Sequence, residues 1–236
     1  MSQTEKIKLK LKPESPIHNH IIDNIRIPYD DNKVKEDSES KPRKIIDKKL
    51  GENGNSDRLQ FFYRSANKPV GKGNGEYVGD PTKYSVLNNI SHWRRALSTL
   101  NSDYPFCYKG LTYSSVEHAV QAMKFTNYPE TSRQFSRESK SELSVSSGLV
   151  ARQARKIKIL GFPEIAEWNL NRHQIKLEIY FCKFGSGLPQ QILLGTHNAE
   201  LWSAGPRIQK IRATTLEKIR DLYSDITRPN NQGVLR

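Results

Sequence analysis

The chain has 236 residues and a formal net charge of +13, a length that suits one domain with extensions or two small domains. Its two cysteines, Cys107 and Cys182, exclude a disulfide framework. No apolar run approaches the roughly 18 residues of a membrane span, and the charged first residues lack the apolar core of a secretory signal. We therefore expect a cytoplasmic protein in a reducing compartment, without membrane contact.

The positive charge is concentrated in one part of the chain. Basic and acidic residues nearly balance over residues 1–58, whereas the remainder carries most of the excess. A basic body favours an anionic partner such as a phosphorylated metabolite, a nucleotide or a nucleic acid. The alternative interpretation is that the charge serves solubility alone.

The sequence predicts that both ends of the chain lie outside the folded domain. Residues 1–58 are polar, mixed in charge and poor in aromatic residues, so they cannot bury enough apolar surface to offset chain entropy. We predict a disordered or linker tail over 1–58, one domain over 59–227 and a short C-terminal tail over 228–236.

Helices outnumber strands in the predicted domain. The first half of the domain is expected to contain a strand at 59–64, a mobile loop at 71–77 and a strand or short helix at 84–100. A hairpin at 104–113 follows and turns at Lys109-Gly110. Next come a helix at 115–126, with Val116, Val120 and Met123 facing the core, and a basic helix at 146–160. These are followed by a long helix at 163–185 with Trp168, Ile175, Ile179 and Cys182 inward, a short helix ended by Gly195, a strand at 199–204 and a last helix at 214–223. The fold class is α+β, a single helix-rich domain with a small β-sheet.

Glu117 near the start of the helix at 115–126 has two interpretations. The spacing Ser114-x-x-Glu117 fits a capping box, in which the glutamate only reaches back to the helix N-terminus. The last helix repeats this spacing at Thr214 and Glu217. Alternatively, Glu117, Gln121 and Lys124 share one helix face and form a ligand site.

The chemistry of that face fits glycosidic bond cleavage. Breaking such a bond develops positive charge at the sugar C1, which a carboxylate can stabilise while it activates water or protonates the leaving group. A lysine and an amide on the same face can bind a phosphorylated, hydroxylated ligand.

The segment GLTYSSVEHAVQAMKF, residues 110–125, resembles the signature of the NADAR superfamily, also called the YbiA-like family. The pattern agrees at nine positions: Gly110, Tyr113, Ser115, Glu117, His118, Gln121, Ala122, Lys124 and Phe125. Weaker similarity to the family's other segments extends over residues 61–223.

The resemblance implies an α+β fold and N-glycosidase activity without a cofactor. The expected substrates are phosphoribosylamino-pyrimidine intermediates of riboflavin biosynthesis, and the expected products are ribose 5-phosphate and the free base. The family's essential glutamate falls on Glu117. Lys124 matches the motif lysine, which binds phosphate or reacts as an amine with an opened ribose.

Five further residues are candidates for substrate binding. Arg94 and Arg95 are candidates for the substrate phosphate, Trp202 for stacking on the base and Arg207 for a bidentate phosphate contact. His118 is a candidate for orienting Glu117 or donating to the leaving base. We expect no metal ion, since no His, Cys or Asp positions cluster at ligand spacing.

The departures from the family pattern leave alternatives open. Thr99 stands where the family usually has Asn, and its C-terminal W-G-x-G loop is missing. One alternative is an ADP-ribose N-glycosidase acting on ADP-ribosylated nucleobases, so that nucleic acid enters only as such a substrate. Another is a non-catalytic ADP-ribose or nucleotide reader. A third is a nucleic-acid binder that uses Arg152, Arg155, Lys156 and Lys158.

Overall fold

A computed structural model describes residues 56–205 and 208–227, which belong to one compact unit. Three short strands form one sheet, β1 (Arg58–Phe61), β4 (Glu200–Gly205) and β5 (Ile208–Arg212), and two form a hairpin, β2 (Phe106–Tyr108) and β3 (Leu111–Tyr113). The helices are α1 (Ser85–Asn88), α2 (Trp93–Ala96), α3 (Val116–Lys124), α4 (Pro129–Arg133), α5 (Glu142–Val145), α6 (Gly148–Gln153), α7 (Phe162–Lys183), α8 (Gly187–Gly195) and α9 (Thr214–Thr227). Single 3₁₀ turns lie at Pro81–Tyr84, Arg137–Ser139 and Ala154–Lys156.

The α+β class is confirmed, with a three-stranded sheet in the order β1-β4-β5. β1 pairs with β4 in parallel and β4 pairs with β5 antiparallel. The hairpin turn is also confirmed: Lys109 and Gly110 both adopt positive φ, as a two-residue hairpin turn requires. Strand β5 was not predicted, because its five-residue sequence IQKIR is short and largely polar, so the usual strand signals are weak.

Several predicted boundaries shift. β1 opens at Arg58, and the preceding Asp57 already contacts the domain, since its carbonyl accepts from the Glu200 backbone N–H at 2.8 Å. The part of the predicted 1–58 tail below residue 56 lies outside the described residues, as does 228–236. The segment at 84–100 forms two short helices. The predicted helix at 146–160 ends at Gln153 and continues only as a 3₁₀ turn, and Ile157 is exposed, contrary to its predicted apolar face.

Helix α3 lies at the centre of the domain, packed against α4, α6, α7 and β3. Its first seven residues are all buried, including Val116 and Val120 as predicted, while Met123 is only partly buried. On α7 the inward positions Ile179 and Cys182 are confirmed, whereas Trp168 and Ile175 stay half-buried. A helix buried on every side carries polar residues only where another group or a ligand meets them.

Loop 71–77, predicted to be mobile, is organised around one carboxylate. Glu76 accepts hydrogen bonds from the backbone N–H groups of Gln60, Gly71 and Gly73 and from the Arg94 guanidinium. The backbone N–H groups of Gly71 and Gly73 therefore bind a carboxylate of the protein itself.

Candidate functional site

Helix α3 is capped by Ser115 and not by a capping box. The Ser115 hydroxyl accepts from the His118 backbone N–H, while Ser114 donates to the carbonyl of Ser144 at 2.6 Å. Glu117 is therefore the second helical residue, one position too early to complete the box. The capping interpretation is wrong, and the carboxylate is free for other contacts.

Both carboxylate oxygens of Glu117 accept hydrogen bonds from side chains. Gln121 Nε2 donates to Oε1 at 2.7 Å, and Arg152 donates to Oε2 from Nη2 at 3.0 Å and from Nε at 3.2 Å. The Glu117 backbone N–H donates to the carbonyl of Thr99 at 3.1 Å. Main chain and side chain are thus both fixed, which holds the carboxylate in one orientation before a ligand arrives.

The Gln121 amide has a defined orientation. Reversing it would set its oxygen against the Glu117 carboxylate, so the nitrogen must face Glu117. Gln121 Oε1 is then buried and has no hydrogen-bond partner among the residues that the structure describes. Gln121 is only 2% exposed, and its contact with Glu117 is one hydrogen bond from the amide nitrogen.

A glycine allows the close approach that brings Arg152 to Glu117. A Cβ added to Gly148, the first residue of α6, would lie 2.6 Å from Leu100 Cα, 2.7 Å from Leu100 O and 2.8 Å from Ser115 Oγ. Two of these neighbours are backbone atoms that cannot rotate away. Glycine at this position lets the start of α6 pack onto the start of α3, and Arg152 follows one turn later on α6.

Glu117 opens into a cleft of about 620 Å³ between α3, α6, α7, the sheet and the start of α9. The cleft contains the predicted residues Glu117, Gln121 and Lys124. Its cationic side chains are Lys124, Arg152, Arg155, Arg172, Lys176 and Arg212, and among the lining residues Glu117 is the only carboxylate. Such a concave, strongly cationic surface attracts an anionic ligand.

Lys124 lies at one end of the cleft. Its Nζ is 5.4 Å from the centre of the Trp168 ring, within cation–π range. Burial lowers the pKa of Lys124, as do the positive charges of Lys176, Arg155 and Arg172, while Glu117 acts in the opposite direction. A lysine with a lowered pKa is a better nucleophile and proton acceptor than a solvated one.

Helix α7 supplies a stripe of four residues that the sequence interpretation did not assign to the site. Trp168, Arg172, Lys176 and Tyr180 follow one another at four-residue spacing and all line the cleft. Loss of hydration around its amine lowers the pKa of Lys176, and Arg172 adds to that effect. Burial, and then Glu117, raises the pKa of Tyr180. The signal was present in the sequence as a polar, aromatic-bounded stripe on a long helix.

Arg212 differs from the other cations of the cleft because acidic residues surround it. Its Nη1 lies 3.0 Å from Glu200 and its Nη2 lies 3.1 Å from Glu217. Glu217 also accepts from the backbone N–H of Leu201 at 2.8 Å. The predicted capping box at Thr214 is therefore wrong as well, since the Glu217 carboxylate ties α9 to β4 and β5.

His118 was predicted to orient Glu117 or to donate to the leaving base, but its ring does not line the cleft and its nitrogens contact other residues. The residue is fully buried; its Nδ1 lies 2.8 Å from Ser115 Oγ and its Nε2 lies 2.9 Å from the carbonyl of Leu143. A carbonyl only accepts, so Nε2 carries the proton and Nδ1 accepts from the serine. Burial lowers the pKa of His118, which fits a neutral ring that joins α3 to the chain near α5.

Arg94 and Arg95, predicted to contact the phosphate, do not line the cleft, so the structure does not bring them together with Glu117. Arg94 is 3% exposed and binds both oxygens of Glu76 at 2.7 Å. It borders a separate cavity of about 340 Å³. Arg95 donates from Nε to the carbonyl of Ser65 at 2.8 Å.

Trp202 is absent from the cleft lining as well. Its indole N–H donates to Glu200 at 3.1 Å, and Arg58 lies 4.9 Å from its ring centre. Side chains alternate along a strand, so the cleft receives the neighbouring Ser203 instead. Arg207 lies outside the described residues.

The four basic residues considered for nucleic-acid binding separate into two groups. Arg152 and Arg155 line the cleft. Lys156 is exposed, and Lys158 lies 4.0 Å from the centre of the Tyr128 ring. They do not form one continuous face of a helix, because α6 ends at Gln153.

Within 56–205 and 208–227, no group of three or more His, Cys, Asp or Glu residues is arranged to hold a metal ion. Over the same residues, no helix combines the length and apolar character that crossing a bilayer requires.

Comparison with known proteins adds no relative: no protein-family model, no curated protein and no solved structure matches this chain. The function is therefore argued from the cleft and from the motif resemblance.

Proposed function

We propose that the protein is an N-glycosidase that hydrolyses the bond between a phosphorylated ribose and a nitrogenous base. The observation that carries this proposal is the oriented Glu117 carboxylate in a cleft whose other charged lining residues are six cations. A phosphorylated sugar needs cations for its phosphate. Its anomeric carbon needs a carboxylate when positive charge develops there.

The reaction requires water and the substrate alone. The bond from C1 to nitrogen breaks with its electron pair going to the nitrogen, and a water oxygen bonds to C1. The Glu117 carboxylate stabilises the developing cation and takes one proton from the water, and the same proton is then available to the departing nitrogen. The products are ribose 5-phosphate and the free base, which together contain every atom of substrate and water.

Each neighbour of Glu117 supports this step in a different way. Gln121 and Arg152 fix the carboxylate, as their hydrogen bonds at 2.7 and 3.0 Å indicate. Lys124, with its lowered pKa, is available to bind phosphate as an ammonium or to react with an opened ribose as an amine. The α7 stripe completes the cationic wall.

The resemblance to the NADAR superfamily supports the same activity and narrows the substrate. Its motif residues Glu117, Gln121 and Lys124 all line the cleft. The substrates proposed are the phosphoribosylamino-pyrimidine intermediates of riboflavin biosynthesis.

The number of cations supports a second candidate. Arg152 and Arg212 pair with carboxylates, which leaves Lys124, Arg155, Arg172 and Lys176 to face a ligand. Four cations exceed what one phosphate monoester needs, which favours a ligand with two phosphates, such as an ADP-ribosyl group on a nucleobase. The protein would then be an ADP-ribose N-glycosidase, or a reader of ADP-ribose if turnover is lost.

The test is release of free base, measured by chromatography, from a phosphoribosylamino-pyrimidine and from an ADP-ribosylated nucleobase. We expect wild-type protein to release base and Glu117→Gln to lose at least about 100-fold in turnover. Arg133→Gln, on the exposed helix α4, is the matched control and should retain activity. If neither substrate releases base but calorimetry still detects ADP-ribose binding, the proposed glycosidase activity is wrong and the protein is a non-catalytic ADP-ribose reader.

A further inference from the structure

Charge is distributed unevenly along the cleft. Lys124, Arg155, Arg172 and Trp168 all line the cleft; both arginines lie near enough to Lys124 to lower its pKa, and the Trp168 ring centre lies 5.4 Å from Lys124 Nζ. We name these four residues the cationic end. Lys176 lies one turn further along α7, where the charge of Arg172 lowers its pKa and the charge of Glu117 raises it.

The part of the cleft that is lined by the sheet, the start of α9 and Thr99 carries hydroxyl groups. The residues concerned are Thr99, Ser203, Thr214 and Thr215, with Phe61 and Ile211 as apolar neighbours. We name these the hydroxyl end. Its one cation, Arg212, is bound by the carboxylates of Glu200 and Glu217, so it offers no uncompensated charge to a ligand.

Glu117 lies between the two ends. Its backbone N–H bonds to Thr99 at the hydroxyl end, and Lys124 follows two helical turns later on the same helix. Seven residues of α-helix span about 10 Å. That span accommodates a sugar phosphate with C1 at the carboxylate and the phosphate at the lysine, allowing for a contact distance at each end.

We infer that the ligand binds in one direction, with its phosphate at the cationic end and its leaving group at the hydroxyl end. This inference rests on the proposed function and assigns the residues that select the base. Hydroxyl groups both donate and accept hydrogen bonds, so they suit a planar heterocycle with mixed donors and acceptors. The absence of free charge among the hydroxyl-end side chains selects a neutral leaving group without a phosphate of its own.

Two half-ligands test this direction by calorimetry: ribose 5-phosphate for the cationic end and 2,4-diamino-6-hydroxypyrimidine, a neutral base, for the hydroxyl end. We expect both to bind wild-type protein together without competition. Arg172→Gln should weaken ribose 5-phosphate about tenfold and leave the pyrimidine unchanged. Ser203→Ala should weaken the pyrimidine about threefold and leave ribose 5-phosphate unchanged.

Matched controls lie outside the cleft: Lys158→Gln for the lost cation and Thr126→Val for the lost hydroxyl, neither of which should change either affinity. Competition between the half-ligands, a pyrimidine that fails to bind, or reversed sensitivity to the two variants would overturn the inference while the sugar-phosphate site stands. A wild-type protein that does not bind ribose 5-phosphate would remove the proposed function itself, and the inference with it.

Discussion

Arg152 covers Glu117: two guanidinium nitrogens reach the same carboxylate oxygen, at 3.0 and 3.2 Å. The arginine side chain is 48% exposed, whereas that of Glu117 is only 10% exposed. A surface residue thus orients a buried one. The contact therefore bears on the position of the carboxylate more than on the stability of the fold.

Replacing Arg152 by Gln separates these two effects. We expect turnover to fall about tenfold, because Glu117 loses its main orienting contact. The free energy of unfolding should change by no more than about 1 kcal/mol, because the half-exposed arginine is screened by solvent and Glu117 borders an open cleft. Base release and urea denaturation measure the two quantities. Arg152→Lys should restore part of the activity, since it keeps the charge but not the two-nitrogen contact. Unchanged turnover in Arg152→Gln would contradict a positioning role.

Gly148→Ala probes the close packing of α6 on α3. The new methyl group would meet the backbone of Leu100 at 2.6 and 2.7 Å, so either α6 or the connecting segment at Leu100 must move. We expect a loss of about 1–3 kcal/mol in unfolding free energy, together with lower turnover as Arg152 shifts. Gly161→Ala is the control, because its nearest neighbour is the end of the Glu164 side chain at 3.3 Å. Equal stability of the two variants would argue against the packing explanation.

Lys183 makes stability depend on pH. The residue is 2% exposed, and its amine donates to the carbonyl of Tyr104 and lies near the rings of Tyr104 and Phe106. Burial lowers the pKa of Lys183 to about 7, while Asp103 opposes the shift. The unfolded chain keeps this proton up to about pH 10.5, so between pH 7 and 10.5 it binds more protons than the folded state. Stability must therefore rise with pH in this window.

Urea denaturation of wild-type protein and of Lys183→Met between pH 7 and 9 measures how much Lys183 contributes to the pH dependence of the unfolding free energy. One proton limits the slope to about 1.4 kcal/mol per pH unit, and we expect the variant to lose most of the wild-type slope. Lys218→Met, at an exposed position on α9, should keep it. Equal slopes in wild type and Lys183→Met would show that this amine does not titrate in the folded protein.

Two adjacent arginines should differ greatly in their importance for stability. Arg94→Met leaves the Glu76 carboxylate buried without its cation, and breaking such a pair typically costs about 3–5 kcal/mol. Arg95→Met removes one hydrogen bond to a carbonyl, and we expect a loss of about 1 kcal/mol. Thermal or urea unfolding compares them directly. Similar losses would mean that the buried pair contributes little.

Local patterns in the sequence predicted the helix that bears the site. The spacing of Glu117, Gln121 and Lys124 is a property of one helix, and the structure confirms that these residues share a cleft. The hairpin turn at Lys109-Gly110 depends on two adjacent residues and was also predicted correctly. Short-range geometry of this kind needs no knowledge of tertiary packing.

The errors concern residues whose role depends on a distant partner. The sequence shows the charge of Arg94 but not the Glu76 carboxylate that binds it. It also shows that His118 is next to Glu117, but not that the carbonyl of Leu143 accepts a hydrogen bond from the His118 ring. Arg152 was assigned to a nucleic-acid surface because the approach of α6 to α3 through Gly148 is a tertiary contact. Burial and pairing, which decide between a ligand site and a structural role, arise only on folding.

The parallel pairing of β1 with β4 has a consequence for how the domain assembles. These strands join the beginning of the described domain to a segment near its end, with α1 to α8 between them. Closing so long a loop is entropically costly, so the contact forms late, whereas α3 and its helical neighbours make nearer contacts first. Pulsed hydrogen exchange should show amides of α3 and α7 protected before those of β1, and simultaneous protection would contradict this order. Phe61 of β1 and Ser203 of β4 belong to this late-forming strand pair. During folding, Glu117 on α3 is therefore in position before the side of the cleft that these two residues line is complete.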